Sequence, residues 1–158
     1  GLDKIDLIAA KKVGIPVTNC PGVNHITVAE HVFALLLAYY KNIHLEYNYT
    51  QNGQWTRLIG NEIYNKKIGI IGLGRIGKEV AKRAHIFGLE VFAYDIYFDH
   101  EFIDKYEIKI LSSIEEAFSK CDIVSLHMNL TEGNRNIISD NIFKITGAKK
   151  VILVNTAR

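Results

Sequence analysis

The chain has 158 residues, 48% of them hydrophobic and 23% charged, which suits one ordinary folded domain and a little more. Its 19 basic and 17 acidic side chains leave a formal charge of +2, which gives no case for a nucleic-acid or membrane partner. The longest apolar run, residues 32–40, falls well short of the roughly 20 residues that cross a bilayer.

Two cysteines, Cys20 and Cys121, lie far apart, and no Cys or His stands at metal-ligand spacing, so no metal is expected. Two unmatched thiols fit a reducing cytosol. Both ends read as cut from a longer chain. Gly1-Leu2-Asp3 has neither Met nor a helix cap, and residues 151–154 are an apolar strand with no element after it.

In chain order, residues 4–13 read as a short helix stopped by Gly14, and residues 15–18 as a strand. Cys20-Pro21-Gly22 is a turn. Residues 28–43 are helical: Val28, Val32, Leu35, Leu36, Tyr39 and Ile43 fall on one stripe about 100° wide. Phe33, Leu37 and Tyr40 widen the apolar arc to roughly 200°, more than one core contact needs, so these three are expected to meet a second chain. A polar stretch, residues 48–57, follows around Gly53 and Trp55. Then strands (67–71, 90–94, 108–111, 123–126, 151–154) alternate with helices (75–87, 113–119, 140–145). Such alternation argues for a parallel sheet with helices on both faces. Ile68-Gly69-Ile70-Ile71 and Val151-Ile152-Leu153-Val154 do not alternate apolar with polar, as befits strands covered on both sides.

The sharpest signal is Gly72-Leu73-Gly74-Arg75-Ile76-Gly77. Alone, a GxGxxG is weak. Here it follows an apolar strand, opens a helix with Val80, Ala81 and Ala84 inside, and precedes a second strand ending at Asp95. That is the full context of a dinucleotide fingerprint on a Rossmann-type doubly wound parallel α/β sheet, here truncated at both ends. Gly72 permits the tight turn, Gly74 lets backbone approach a pyrophosphate, and Gly77 lets the helix pack on the strand. The helix N-terminus, with the N–H groups of Arg75 and Ile76, offers partial positive charge to phosphates. The Arg75 side chain either adds to that charge or is simply solvated. Asp95 is placed to accept hydrogen bonds from the adenosine ribose. FAD enzymes and some methyltransferases share such turns, but near the chain start rather than some 70 residues in.

With these motifs in place, the chain resembles the D-isomer-specific 2-hydroxyacid dehydrogenases, which include phosphoglycerate dehydrogenase and the hydroxypyruvate and glyoxylate reductases. Residues 1–10 look like the end of that family's substrate domain. Asn19-Cys20-Pro21-Gly22-Val23-Asn24 and Val28-Ala29-Glu30 look like the crossing into the cofactor domain. Gly53, Trp55, Gly60, Glu62 and Ile63 match the approach to the fingerprint. Cys121-Asp122-Ile123-Val124-Ser125-Leu126-His127 matches the fourth strand and its exit, and Asn155-Thr156-Ala157-Arg158 the strand end that carries the catalytic arginine. One departure is Asn129, where the family usually has Pro. Pro fixes φ and has no N–H, so a looser loop is expected beside the cofactor.

The resemblance implies residues 1–23 as the tail of a substrate-binding domain and 24–158 as an incomplete NAD-binding domain. It implies NAD as cofactor, a small 2-hydroxy or 2-oxo acid as substrate, a cytoplasmic protein and a homodimer when full length. Arg158 would hold the substrate carboxylate, since guanidinium is always charged and grips carboxylates bidentately. The family's proton-moving Glu and His lie beyond Arg158, so this chain alone is expected to bind NAD weakly and turn nothing over. Among the six histidines, His25, His31, His44, His85 and His100 read as surface residues. His127 leaves a strand on the ligand side, and three readings stay open: cofactor contact, a structural role, or acid–base work. Thr156 is expected near the nicotinamide, and Thr131 is a further candidate for the pocket wall. The alternative function is a non-catalytic NAD(H)-sensing module like the corepressors that resemble this family. The substrate's identity is not legible.

Overall fold

The computed structural model describes residues 2, 4–147 and 149–157. The Asp6 carboxylate caps α1 (Leu7–Lys12), accepting from the N–H groups of Ile8 and Ala9 at 3.0 and 2.9 Å. Gly14, at φ +73°, ends it in the left-handed region that suits glycine. α1 buries none of its residues. The strand expected at 15–18 does not form. The segment finds no ladder partner among the described residues, and Ile15 stays largely exposed.

The long helix starts three residues earlier than its apolar pattern suggests and ends earlier too. α2 spans His25–Tyr40, and Asn42 then adopts a left-handed conformation (φ 56°, ψ 25°) that separates it from α3 (Ile43–Gln51). Asn tolerates that region better than most residues. α3 therefore takes in the start of the expected polar stretch. The inward face of α2 also differs from expectation. Ala29, Val32, Phe33, Leu36 and Tyr40 are buried, at i, i+3, i+4, i+7 and i+11, while Leu35, Tyr39 and Ile43 are exposed. The helix is apolar nearly all round, so periodicity could not say which side turns inward; its packing on α4 decides. Phe33 stacks on Phe87 at 5.1 Å, and Arg83 reaches Glu30. Phe33 and Tyr40 thus belong to the core of their own chain rather than to an outward face, and Leu37 packs partly against it.

Five parallel strands follow: β1 (Lys67–Ile71), β2 (Glu90–Tyr94), β3 (Lys109–Ile110), β4 (Ile123–Leu126) and β5 (Ile152–Asn155). They are ordered β3-β2-β1-β4-β5. Between them lie α4 (Arg75–Ile86), α5 (His100–Lys105), α6 (Ile114–Lys120) and α7 (Asp140–Thr146). Asp99 and Ser113 cap α5 and α6 by accepting from the N–H groups of Phe102 and Glu116. One core cluster packs α2 and α4 on one sheet face; a second packs α6 and Ile142 of α7 on the other. β1 and β4 are buried on both faces, and Gly69 lets α6 approach so closely that a Cβ there would stand 3.1 Å from Cys121 Sγ. In β5, Val154 is buried and Leu153 is exposed. Cys20 is exposed and Cys121 buried, both free, and burial pushes the Cys121 thiol up to about 12. Among the described residues no helix is long and apolar enough to cross a membrane.

Candidate functional site

Strand order reverses between β1 and β4, and open α/β sheets hold ligands in the crevice beyond the carboxyl ends of such a pair. The Gly-rich turn leaves β1 at this point. Gly72 has φ +97°, and a Cβ there would lie 2.9 Å from the His127 carbonyl carbon and 3.0 Å from its oxygen. Only glycine lets the two strand ends come so close. Its N–H donates to Tyr94 O, while His127 N–H donates to Ile71 O, both at 2.8 Å, so the turn is held from either side. Gly77 is as constrained: a Cβ on it would sit 2.0 Å from Gly72 O.

Gly74 is the opposite case. A Cβ there would meet nothing within 4 Å. Gly74 N-caps α4, which has no side-chain cap and no acidic residue in its first turn. The N–H groups at the helix start have no intrahelical acceptor, so the macrodipole and these donors face an open position suited to an anion. The Arg75 side chain is exposed and lies over Gly22, whose Cβ would be 2.9 Å from its guanidinium. The Ile76 side chain packs partly against the core and stays partly exposed.

Asp95, just past β2, is tied to this turn. Its Oδ2 accepts from Leu73 N–H at 2.5 Å, and its Oδ1 accepts from Ile96 and Tyr97 N–H at 2.6 and 3.2 Å. The carboxylate is half-buried. Each of its oxygens has two lone pairs, so acceptor capacity remains for a hydroxyl.

Across the crevice, the β4–β5 ladder ends with Leu126 paired to Asn155, and His127 and Thr156 are the next residues of the two chain segments. The His127 ring turns back to the sheet face that carries Ser125. His127 Nε2 is 2.8 Å from Ser125 Oγ. Burial pushes the imidazole down to about 4, so it is neutral near pH 7. His127 Nδ1 and Thr156 Oγ1 are the buried side-chain polar atoms without a partner among the described residues. Two orphans at one end of adjacent strands suit a site that awaits polar ligand atoms.

The loop after β4 borders a cavity of about 210 Å³ lined in part by Leu126, Met128, Asn129, Asn134 and Asn155. Asn129 takes part in the hydrogen bonding of this loop. Its carbonyl accepts from Asn134 Nδ2, and Asn134 Oδ1 accepts from Thr131 N–H, both at 2.7 Å, closing a one-turn 3₁₀ segment at Glu132–Asn134. Thr131 is spent on this turn. His25 is not simply a surface residue either, being partly buried with Nδ1 2.6 Å from Gly22 O. Arg158 lies outside the described residues. No cluster of three or more metal-ligating side chains occurs among them. Sequence reasoning missed Ser125, although Ser-x-His on a strand puts both side chains on one face. It also missed Asn134.

Comparison with known proteins agrees with this geometry. Residues 33–158 match the family model described as D-isomer specific 2-hydroxyacid dehydrogenase, NAD binding domain. The whole chain is 38% identical to D-3-phosphoglycerate dehydrogenase of Methanocaldococcus jannaschii and 39% identical to hydroxypyruvate reductase of Thermotoga maritima. It spans 30% and 51% of their lengths. It superposes over its full length on 47% of D-lactate dehydrogenase from Aquifex aeolicus, a structure with NAD and lactic acid, at TM-score 0.86 and 30% identity.

Proposed function

The chain belongs to the D-isomer specific 2-hydroxyacid dehydrogenases by their NAD-binding domain, and from that premise we propose that it holds NAD in the β1–β4 crevice for hydride exchange with a 2-hydroxy or 2-oxo acid. The observation that carries this is the tight Gly72 turn at the switch point, leading into an uncapped helix and fastened to Asp95. The open position at Gly74 and the two orphaned polar atoms fit a dinucleotide.

In this reading Gly72, Gly74 and Gly77 shape the cradle, and the Arg75 and Ile76 N–H groups donate to the pyrophosphate, with the Arg75 guanidinium adding charge. Asp95 accepts from the adenosine ribose. His127 and Thr156 supply polar contacts at the far strand ends, Thr156 toward the nicotinamide. When bound, NAD supplies a ring carbon that accepts or returns the hydride. Arg158 orients the substrate carboxylate. Residues 24–158 form the cofactor domain and residues 1–23 the tail of a substrate domain. The protein works in the cytoplasm as a homodimer. Its contact face is the exposed side of α2 and α3, with Ile26, Leu35, Tyr39, Ile43 and Tyr47, an apolar surface on a helix whose other side is already packed. Titration of NADH fluorescence tests the reading. Saturable binding displaced by NAD is the expected result, and no saturable signal contradicts it.

A further inference from the structure

Ser125 is the one polar residue fully buried in the core among the described residues. Its neighbours on that sheet face, Ile70, Ile123 and Val154, are all apolar. A hydroxyl in such a place needs a reason. Its one hydrogen-bond partner among the described residues is His127 Nε2. The bond can be made in two ways. If Nε2–H donates to Oγ, the serine proton has no acceptor and Nδ1 is a bare lone pair, which strands two polar groups. If Oγ–H donates to Nε2, the ring proton sits on Nδ1 and only that one group lacks a partner. Burial keeps the ring neutral, so there is a single proton to place.

We infer that Ser125 is a positioning residue that fixes His127 as its Nδ1–H tautomer, so that His127 meets the dinucleotide in the β1–β4 crevice as a hydrogen-bond donor. The part concerning the dinucleotide rests on the function proposed above. The part concerning Ser125 does not. The His127 carbonyl packs directly on the Gly72 turn, so the ring is anchored to the same strand end that shapes the cradle. A protonation state fixed in advance spares the site a tautomer change on binding. The donor also has its matching acceptor only when a ligand supplies one.

The test is long-range proton–nitrogen spectroscopy of the chain labelled with ¹⁵N-histidine, with and without NAD. The ligand-free protein should show His127 protonated at Nδ1 alone. Ser125→Ala should give a mixture of tautomers and a roughly tenfold weaker NAD affinity, with far-UV circular dichroism unchanged. Ser125→Cys, a weak donor of similar size, should fall between the two. Protonation at Nε2 in the ligand-free protein overturns the proposal. So does an alanine variant that keeps both the tautomer and the affinity. Because the tautomer is read without ligand, the two readings fail separately. An Nδ1–H signal that NAD leaves untouched, with NAD bound, overturns the donor role, and an Nδ1–H signal in a chain that binds no NAD overturns the cofactor reading instead.

Discussion

Replacing Asp95 by Asn should shift cofactor choice from NAD toward NADP by about 100-fold. The carboxylate would face the 2′-phosphate of NADP. Two unit charges about 4 Å apart at an effective dielectric of about 20 repel by roughly 4 kcal/mol. Asp95 is only half-buried, and water and salt reduce this to about 2.7 kcal/mol, or 100-fold. Ile96, Tyr97 and Phe98 bring no cation that would rescue the phosphate. The substitution has a second effect that the structure makes visible. Oδ2 accepts from Leu73 N–H and Oδ1 from Ile96 and Tyr97 N–H. An amide can accept on one side only, so one arm of this tie is lost and NAD affinity itself should drop by about tenfold, roughly 1.4 kcal/mol. Parallel fluorescence titrations with NADH and NADPH at low and high salt read both effects, and the preference should narrow as salt rises. Equal affinity of the unaltered protein for the two cofactors, or an unchanged ratio in the Asn variant, would rule out Asp95 as the source of the preference.

The glycines of the fingerprint should separate by cause. Gly77→Ala drives a Cβ into the Gly72 carbonyl and should cost about 3 kcal/mol in urea unfolding, whereas Gly74→Ala should leave stability within about 1 kcal/mol yet weaken NAD binding at least tenfold. Equal effects of the two on stability would contradict this. His127 should make the fold sensitive to acid. The unfolded imidazole takes a proton below its ordinary 6.5, but the folded one does so only near 4. Its contribution is therefore complete above pH 6.5 and shrinks by about 3 kcal/mol on the way to pH 4. His127→Asn should lose correspondingly less stability between pH 7 and pH 4.5, and identical losses in the two proteins would count against a buried neutral ring. Finally, Leu35→Lys with Tyr39→Glu should turn a dimer into a folded monomer in sedimentation, since both side chains are exposed. A protein that is monomeric without the substitutions rules out this face.

Much of the sheet was legible because its strands are short apolar runs bounded by turn residues. β1, β2 and β4 begin and end where the pattern says. The Gly-rich turn and Asp95 were legible because the chemistry of that turn leaves few other residues possible. What failed had weak or symmetric signals. α2 is apolar on nearly every side, so its period could not reveal that Phe33 and Tyr40 turn inward and Leu35 and Tyr39 outward. The break at Asn42 carries neither Gly nor Pro, and α3 is mostly polar. Residues 15–18 have the composition of a strand, but a strand requires a partner that local sequence cannot specify. At the site, the Ser125–His127 pair was within reach of the sequence, since Ser-x-His on a strand shares one face, whereas the closure of the Asn134 side chain on the Asn129 carbonyl depends on how the loop folds back.

The proposed function rests on NAD occupying the crevice between β1 and β4. Backbone amide shifts of the ¹⁵N-labelled chain, followed during titration with NAD, test it most directly. Saturable changes should concentrate at residues 72–77, 95–97, 127 and 156. Changes centred instead on the groove between α1 and the segment after it, lined by Leu7, Ala10, Ile15 and Val17, or no saturable change at all, would contradict it.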